Sequence, residues 1–136
     1  MLIPALLRKE FYTIEKTKNV DKEINLLIIG GSQGAKLFDN IIESIIKIKK
    51  KYKLKIFHQT SIKNYMNLKN NYLLNNIENE LFYYNENISN FMKKSNLCIT
   101  RAGASTLAEL IFLNLPHIAI PLPSAKDNHQ FENALF

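Results

Sequence analysis

Ile24-Asn25-Leu26-Leu27-Ile28-Ile29 runs straight into Gly30-Gly31-Ser32-Gln33-Gly34, and the reading of the fold turns on that junction. A short, nearly continuous apolar run rich in β-branched residues suits a strand buried on both faces, which is how strands of parallel sheets read. Past the glycines the period changes. From Ala35 to about Lys50, Leu37, Ile41, Ile42, Ile45, Ile46 and Ile48 follow helical spacing. Lys47, Lys49, Lys50 and Lys51 gather at the end of that helix, where its dipole favours cations.

The alternation continues outward from there. Leu54 to His58 reads as a second strand, and Ser61 is placed to cap a short helix through Leu68. Leu81 to Tyr84 reads as a third strand, Asn87 to Lys94 as a helix and Leu97 to Thr100 as a fourth strand. Ser105 to about Leu113 reads as a helix capped by Ser105. His117 to Ile120 then forms a fifth strand, stopped by Pro121 and Pro123, and an amphipathic stretch begins near Asp127. Strands alternating with helices predict an α/β fold with a Rossmann-like parallel sheet and right-handed crossovers.

The chain of 136 residues suits one compact domain or a piece of a larger protein. With 46% hydrophobic and 22% charged residues it can bury a core, which argues against wholesale disorder. Cys98 is the single cysteine, so an internal disulfide framework and a cysteine-based zinc cluster are excluded, and a reducing compartment fits. Eighteen Lys and Arg against 12 Asp and Glu give a formal charge of +6. That balance favours an anionic partner: nucleic acid, an acidic membrane face or a phosphorylated small molecule. No apolar run approaches the length of a membrane span. Met1 to Leu7 is apolar but has no basic segment before it and meets Arg8-Lys9-Glu10 at once, so it does not read as a signal peptide. Residues 1–23 are expected to be a linker or interdomain segment, and 24–136 the folded domain. Because the first segment has no domain to belong to and the last helix has no stop signal, the chain is expected to be part of a longer protein, frayed termini being the alternative.

Two loops carry the chemistry. In the first, Gly30 to Gly34, glycines let the backbone turn tightly and approach a ligand, Ser32 adds a hydroxyl, and the helix that follows offers unpaired N–H groups to a phosphate. It is neither G-x-G-x-x-G nor a Walker loop, since Ala35-Lys36-Leu37 stands where a Lys-Ser/Thr pair belongs. A tight turn that binds nothing needs the same glycines. The second loop, Arg101-Ala102-Gly103-Ala104-Ser105-Thr106, also joins a strand to a helix. In the doubly wound order 3-2-1-4-5, strands 1 and 4 are neighbours, and both loops open onto the crevice at the switch point. Two helix N-termini then converge on one anion. Glu109 is either a solvated carboxylate near a helix start or a bidentate acceptor for two ribose hydroxyls. Arg101 either neutralises phosphate or pairs with a surface acid. Asp127-Asn128-His129-Gln130 either reads sugar hydroxyls or simply begins a polar helix.

G-G-S-Q-G-A at 30–35, R-A-G-A-S-T-L-A-E at 101–109 and P-x-P-x-A-x-D-N-H-Q-x-x-N-A at 121–134 occur in that order. Together they resemble the donor-binding half of the MurG family, the undecaprenyldiphospho-muramoylpentapeptide β-N-acetylglucosaminyltransferases. The resemblance implies that 24–136 is the UDP-GlcNAc-binding C-terminal domain, one half of a GT-B fold. It also implies an inverting, metal-independent transfer of GlcNAc to lipid I, giving lipid II, with no cofactor. By the same resemblance Ser32, flanked by Gly31, Gln33 and Gly34, lies near the diphosphate. Ala104, Ser105 and Thr106 line the nucleotide-sugar, with Arg101, Gly103, Leu107 and Ala108 in the same segment. Glu109 accepts from the ribose, Gln130 with Asp127 and His129 meets the GlcNAc, and Asn85 offers backbone groups to uracil. Arg8 aligns with the arginine of the family's N-P-V-R element, although Ala5-Leu6-Leu7 precede it here.

The family's acceptor domain, with its glycine-rich, histidine-containing loop, has no match in residues 1–23. The chain alone is therefore expected to bind donor and to transfer sugar poorly, with catalytic residues and lipid I contacts supplied elsewhere. The family acts in the cytoplasm, peripheral on the inner face of the cell membrane. Asp21, Asp39 and Asp127 are the only aspartates, so there is no D-x-D metal motif, and the three histidines lack zinc spacing. Two other readings stand beside this one. The first is a donor-binding subunit of a split GlcNAc transferase acting on another polyprenyl-linked acceptor. The second is a non-enzymatic nucleic-acid-binding module, which the scattered aromatics argue against. Lys47 to Lys53 is either a solvated helix end or a contact for an anionic membrane face.

Overall fold

The computed structural model of the chain describes residues 23–30, 38, 41–84, 87–122 and 129–135. Residues 1–22 of the expected linker lie outside that set. Five strands, β1 (Glu23–Ile29), β2 (Lys53–Gln59), β3 (Glu78–Phe82), β4 (Leu97–Thr100) and β5 (His117–Ala119), form one sheet. Among the described residues they alternate with helices α1 (Ile42–Lys49), α2 (Tyr65–Leu74), α3 (Ile88–Lys94), α4 (Ala104–Phe112) and α5 (His129–Leu135). Every pairing is parallel and the order is β3-β2-β1-β4-β5, the doubly wound arrangement expected from the sequence.

The apolar run of β1 is continuous because β1 is the middle strand and feeds two cores. Leu26 and Ile28 face one layer, with Phe38, Ile45, Leu68 and Tyr72. Leu27 and Ile29 face the other, with Phe57, Phe91, Leu107 and Leu110. All four β1 residues are exposed by 1% or less, and each such side chain contributes about 1.5–3 kcal/mol through burial. On the second layer Phe82 and Phe91 stack with ring centroids 4.0 Å apart. At the start of the sheet the Asn96 side chain ties two strands together. Its Oδ1 accepts from the Asn25 N–H at 2.9 Å and its Nδ2 donates to the Glu23 carbonyl at 2.9 Å.

The structure moves some sequence-based boundaries. β3 spans 78–82 rather than 81–84, leaving Tyr83 and Tyr84 exposed beyond its end. As an edge strand it tolerates Glu78 and Glu80 on its solvent side, and the apolar signal alone misses its first half. Ser61 does not cap α2 through its side chain. Instead its carbonyl accepts from the N–H groups of Asn64 and Tyr65, and the helix begins at Tyr65 and continues to Leu74. Ser105 is likewise not a cap, because Gly103 holds the N-cap position of α4 and Ser105 is the second helical residue. The stops were equally hidden in the sequence. Asn76 and Asn114, with φ of 50° and 51°, adopt the left-handed conformation that ends a helix. In each case the next residue's N–H returns to the helix, Ile77 to the Tyr72 carbonyl and Leu115 to the Leu110 carbonyl, both at 2.9 Å.

Candidate functional site

The parallel register decides which loops meet. Ile29 of β1 pairs with Thr100 of β4, so the chain leaves the two strands side by side, at Gly30 and Arg101. Both exits lie at the C-terminal edge of the sheet, where a switch-point crevice forms. β5 ends beside them, with the Ile120 N–H bonded to the Thr100 carbonyl at 2.8 Å. The motif segments at 30, 101 and 121 thus begin at one rim.

The first exit is tied down by a neighbour. Gly30 is buried and its N–H donates to Oε1 of Gln59, at the end of β2, over 3.1 Å. Gly31, Ser32, Gln33 and Gly34 lie outside the described residues, as do Arg8, Asn85 and Asp127.

At the second exit the Arg101 side chain turns inward. Only 5% exposed, it donates through Nη1 to the carbonyls of Ile120 and Pro121 at 3.2 and 3.0 Å. Its guanidinium carbon stands 5.1 Å over the ring of Phe38, and Nε is buried without a hydrogen-bond partner. Burial lowers its pKa from the ordinary arginine value. The guanidinium therefore does not pair with a surface acid. It braces the exit of β5 and the segment carrying Phe38 against the β4 loop.

Past Arg101, Gly103 has φ −76° and ψ 130°, backbone angles open to any residue. Among the described residues, a Cβ built there would meet only Thr106 Oγ1, at 4.0 Å. The backbone angles do not demand glycine at this position, and among the described residues nothing fills the space above it. Ala104 and Ser105 are exposed, Thr106 and Ala108 half-buried and Leu107 buried. The first-turn N–H groups of α4 face this rim, where an anion is favoured. Glu109 is 1% exposed, so it is not the solvated helix-start carboxylate that its position also allowed.

The third motif folds back onto the second. Gln130 Oε1 accepts from the Leu122 N–H at 2.9 Å, and Asn133 Nδ2 donates to the Ala102 carbonyl at 3.0 Å. His129 is exposed at the start of α5. Gln59 and Phe38 escaped the sequence reading, in which Asn133 stood within the third motif without a role of its own. Only the polar break at Gln59-Thr60, ending an apolar strand at the same edge, hinted at the first of them.

The lysine cluster sits at the opposite edge of the sheet. A depression of about 510 Å³ there is lined by Lys49, Lys50, Lys51, Lys53, Tyr52 and Glu78, among others. Lys49 Nζ bonds the Asn75 carbonyl, and Lys53 pairs with Glu23 at 3.2 Å. These two lysines hold elements together at an edge away from the glycine-bearing loops. Among the described residues no helix is long and apolar enough to cross a membrane.

Known proteins with similar sequences and structures agree with this arrangement. The model of the glycosyltransferase family 28 C-terminal domain matches residues 25–136. The UDP-N-acetylglucosamine--N-acetylmuramyl-(pentapeptide) pyrophosphoryl-undecaprenol N-acetylglucosamine transferase of Pelagibacter ubique is 58% identical over 136 residues, 99% of this chain and 38% of that protein. The protein of the same name from Rickettsia bellii is 44% identical over 125 residues, 89% of this chain and 35% of its own length. The crystal structure of Acinetobacter baumannii MurG superposes with a TM-score of 0.75 at 30% identity, over 87% of this chain and 34% of that one. The chain thus spans little more than a third of the relatives it matches. With the matched segment covering all but the first two residues of the sheet and all three motifs, the chain belongs to glycosyltransferase family 28, whose C-terminal domain it carries.

Proposed function

We propose that this domain binds UDP-GlcNAc in the crevice between the C-terminal ends of β1 and β4. Within a longer protein it presents the sugar for transfer to lipid I, forming lipid II for peptidoglycan synthesis at the cytoplasmic face of the membrane. The pairing of Ile29 with Thr100 carries this reading, because it starts both glycine-bearing loops from adjacent strands at one rim. The names of the relatives supply the sugar and the acceptor class.

In this reading the acceptor hydroxyl oxygen bonds to the anomeric carbon from the face opposite UDP. Its proton passes to a base elsewhere in the longer protein. The bond from the anomeric carbon to the diphosphate oxygen breaks, and the electron pair leaves on UDP. Negative charge grows on the diphosphate as this happens. N–H groups at the start of α4 and in the Gly31–Gly34 segment, with the Ser32 hydroxyl, then act most strongly in the transition state. Arg101, bound to two carbonyls, adds its positive charge and fixes the rim. Gln130 has its oxygen engaged by Leu122, which leaves its amide N–H groups for GlcNAc hydroxyls.

Calorimetric titration tests the assignment. UDP-GlcNAc is expected to bind at least about tenfold more tightly than GDP-sugars, with UDP-GalNAc between them. Equal affinity for all three would remove the donor-site reading.

Gly103 gives a sharper check, because its backbone does not need glycine. Alanine there is expected to leave thermal stability unchanged, since the loss of unfolded-state freedom offsets the poorer cap. UDP-GlcNAc affinity should nevertheless fall about tenfold or more, because a methyl group enters the space assigned to the ligand. Unchanged binding by a folded Gly103→Ala protein would free that space of any ligand role.

A further inference from the structure

We propose that the outer face of the α1–α2 layer is a docking surface for an anionic lipid bilayer, a reading independent of the donor site. α2 is apolar on two sides. Inward, Leu68 and Tyr72 are buried in the core that covers β1 and β2. Outward, Met66, Leu73 and Leu74, with Ile62 in the turn before the helix, are 62–79% exposed. Met66 stands four residues after Ile62 and seven before Leu73, so these three lie along one side of the helix. A helix with water on that side normally carries polar residues there. Four large aliphatic side chains in their place mark an interaction surface.

The lysines decide what covers it. From Ile41 to Ile77 the chain has eight lysines and one acidic residue, Glu43, so this stretch alone exceeds the formal +6 of the whole chain. Lys63 and Lys69 are exposed beside the apolar row. At the end of α1, Lys49 Nζ bonds the carbonyl of Asn75, the residue after Leu74. That bond brings the depression lined by Lys49, Lys50, Lys51 and Asn76 next to the exposed leucines. Lys50 and Lys51 are exposed and, among the described residues, form no salt bridge. The acids nearby are offset: Glu78 pairs with Lys55 at 2.6 Å, and Glu43 lies four residues before Lys47 on α1.

Aliphatic side chains projecting from a helix, flanked by lysines, match the two layers of a bilayer interface. The first enter the boundary of the acyl chains, and the second stay with the lipid phosphates. A nucleic-acid backbone would use the lysines alone, because its phosphates and sugars give an aliphatic row no partner.

Sedimentation of the 136-residue chain with lipid vesicles tests this. Binding to phosphatidylcholine vesicles with about 30% phosphatidylglycerol is expected to exceed binding to pure phosphatidylcholine by about tenfold or more, and to fall as salt rises. Two variants divide the contact. Lys50→Gln with Lys51→Gln removes charge, and Met66→Gln with Leu73→Gln and Leu74→Gln removes the apolar row. All five side chains are exposed, so both variants should keep the fold. Each is expected to lose about tenfold or more in affinity for the anionic vesicles. The control is Lys93→Gln with Lys94→Gln, the same change in charge at the end of α3, which packs on the other face of the sheet. It should stay within about twofold of wild type.

Equal binding to the two kinds of vesicle overturns the proposal. So does an equal loss in the lysine variant and the control, since any cation would then serve. A lysine variant that loses binding while the apolar variant does not also overturns it, and the same pattern with single-stranded RNA in place of vesicles would give the face to nucleic acid.

Discussion

Glutamine in place of Glu109 is expected to weaken UDP-GlcNAc binding roughly 10- to 100-fold, with the melting temperature close to that of the parent. Hydrogen bonds to a charged group contribute about 1.5–3 kcal/mol each, more than those to a neutral amide. Glutamine has nearly the same shape but no charge. At 1% exposure the site is too enclosed for bulk water to take over the carboxylate's role. The control is a ligand with one hydroxyl removed. If Glu109 grips the ribose, the same substitution costs much less when the ligand is 2′-deoxy-UDP, because one of the two contacts has already gone. An equal loss with UDP and 2′-deoxy-UDP would place Glu109 among the groups that hold α4 against the sheet. Alanine is a poorer probe here, since it leaves a cavity in a buried layer and mixes packing with recognition.

The second large effect concerns acid. His58 is fully buried on β2, with Nδ1 2.8 Å from the Tyr72 hydroxyl. Burial pushes its pKa down from about 6.5 to about 3. Between those values the unfolded chain takes up a proton that the folded protein refuses. The stability present above pH 6.5 is therefore lost as pH falls toward 3, at about 1.4 kcal/mol per pH unit. Urea unfolding at pH 6.5 and pH 5 should show wild type losing about 2 kcal/mol more than a His58→Gln protein, in which this site cannot titrate. The window lies above the usual carboxylate range, and other groups cancel in the difference between the two proteins. Parallel losses would mean that His58 is protonated within the fold or that its burial is relieved.

Much of the fold could be read from local patterns because the central strand is so plain. The run from Ile24 to Ile29 has no polar alternation, which only a strand covered on both faces permits. Its abrupt end at two glycines marked the C-terminal edge of the sheet, the edge on which ligands of open α/β sheets generally bind. β3 was harder. Its Glu78 and Glu80 sit on an exposed edge, and the apolar signal is shifted to Phe82, Tyr83 and Tyr84, two of which point to solvent. The helix ends at Asn76 and Asn114 were lost for a different reason. Asparagine is frequent throughout this chain, and its left-handed conformation at those two places follows from the bonds closed by Ile77 and Leu115.

For the site, the sequence by itself determined the candidates: glycines where backbone must approach a ligand, helix starts where an anion is favoured, and a carboxylate about one turn inside α4. These are short-range matters of spacing and chain geometry. Tertiary structure decided how the candidates are used. It turned Arg101 inward onto Ile120, Pro121 and Phe38, engaged the Gln130 oxygen with Leu122 and buried Glu109. It also brought Gln59 against Gly30, 29 residues away along the chain. Such partnerships depend on which strands lie side by side and in what register, and that comes from the packing of two opposed cores onto one sheet.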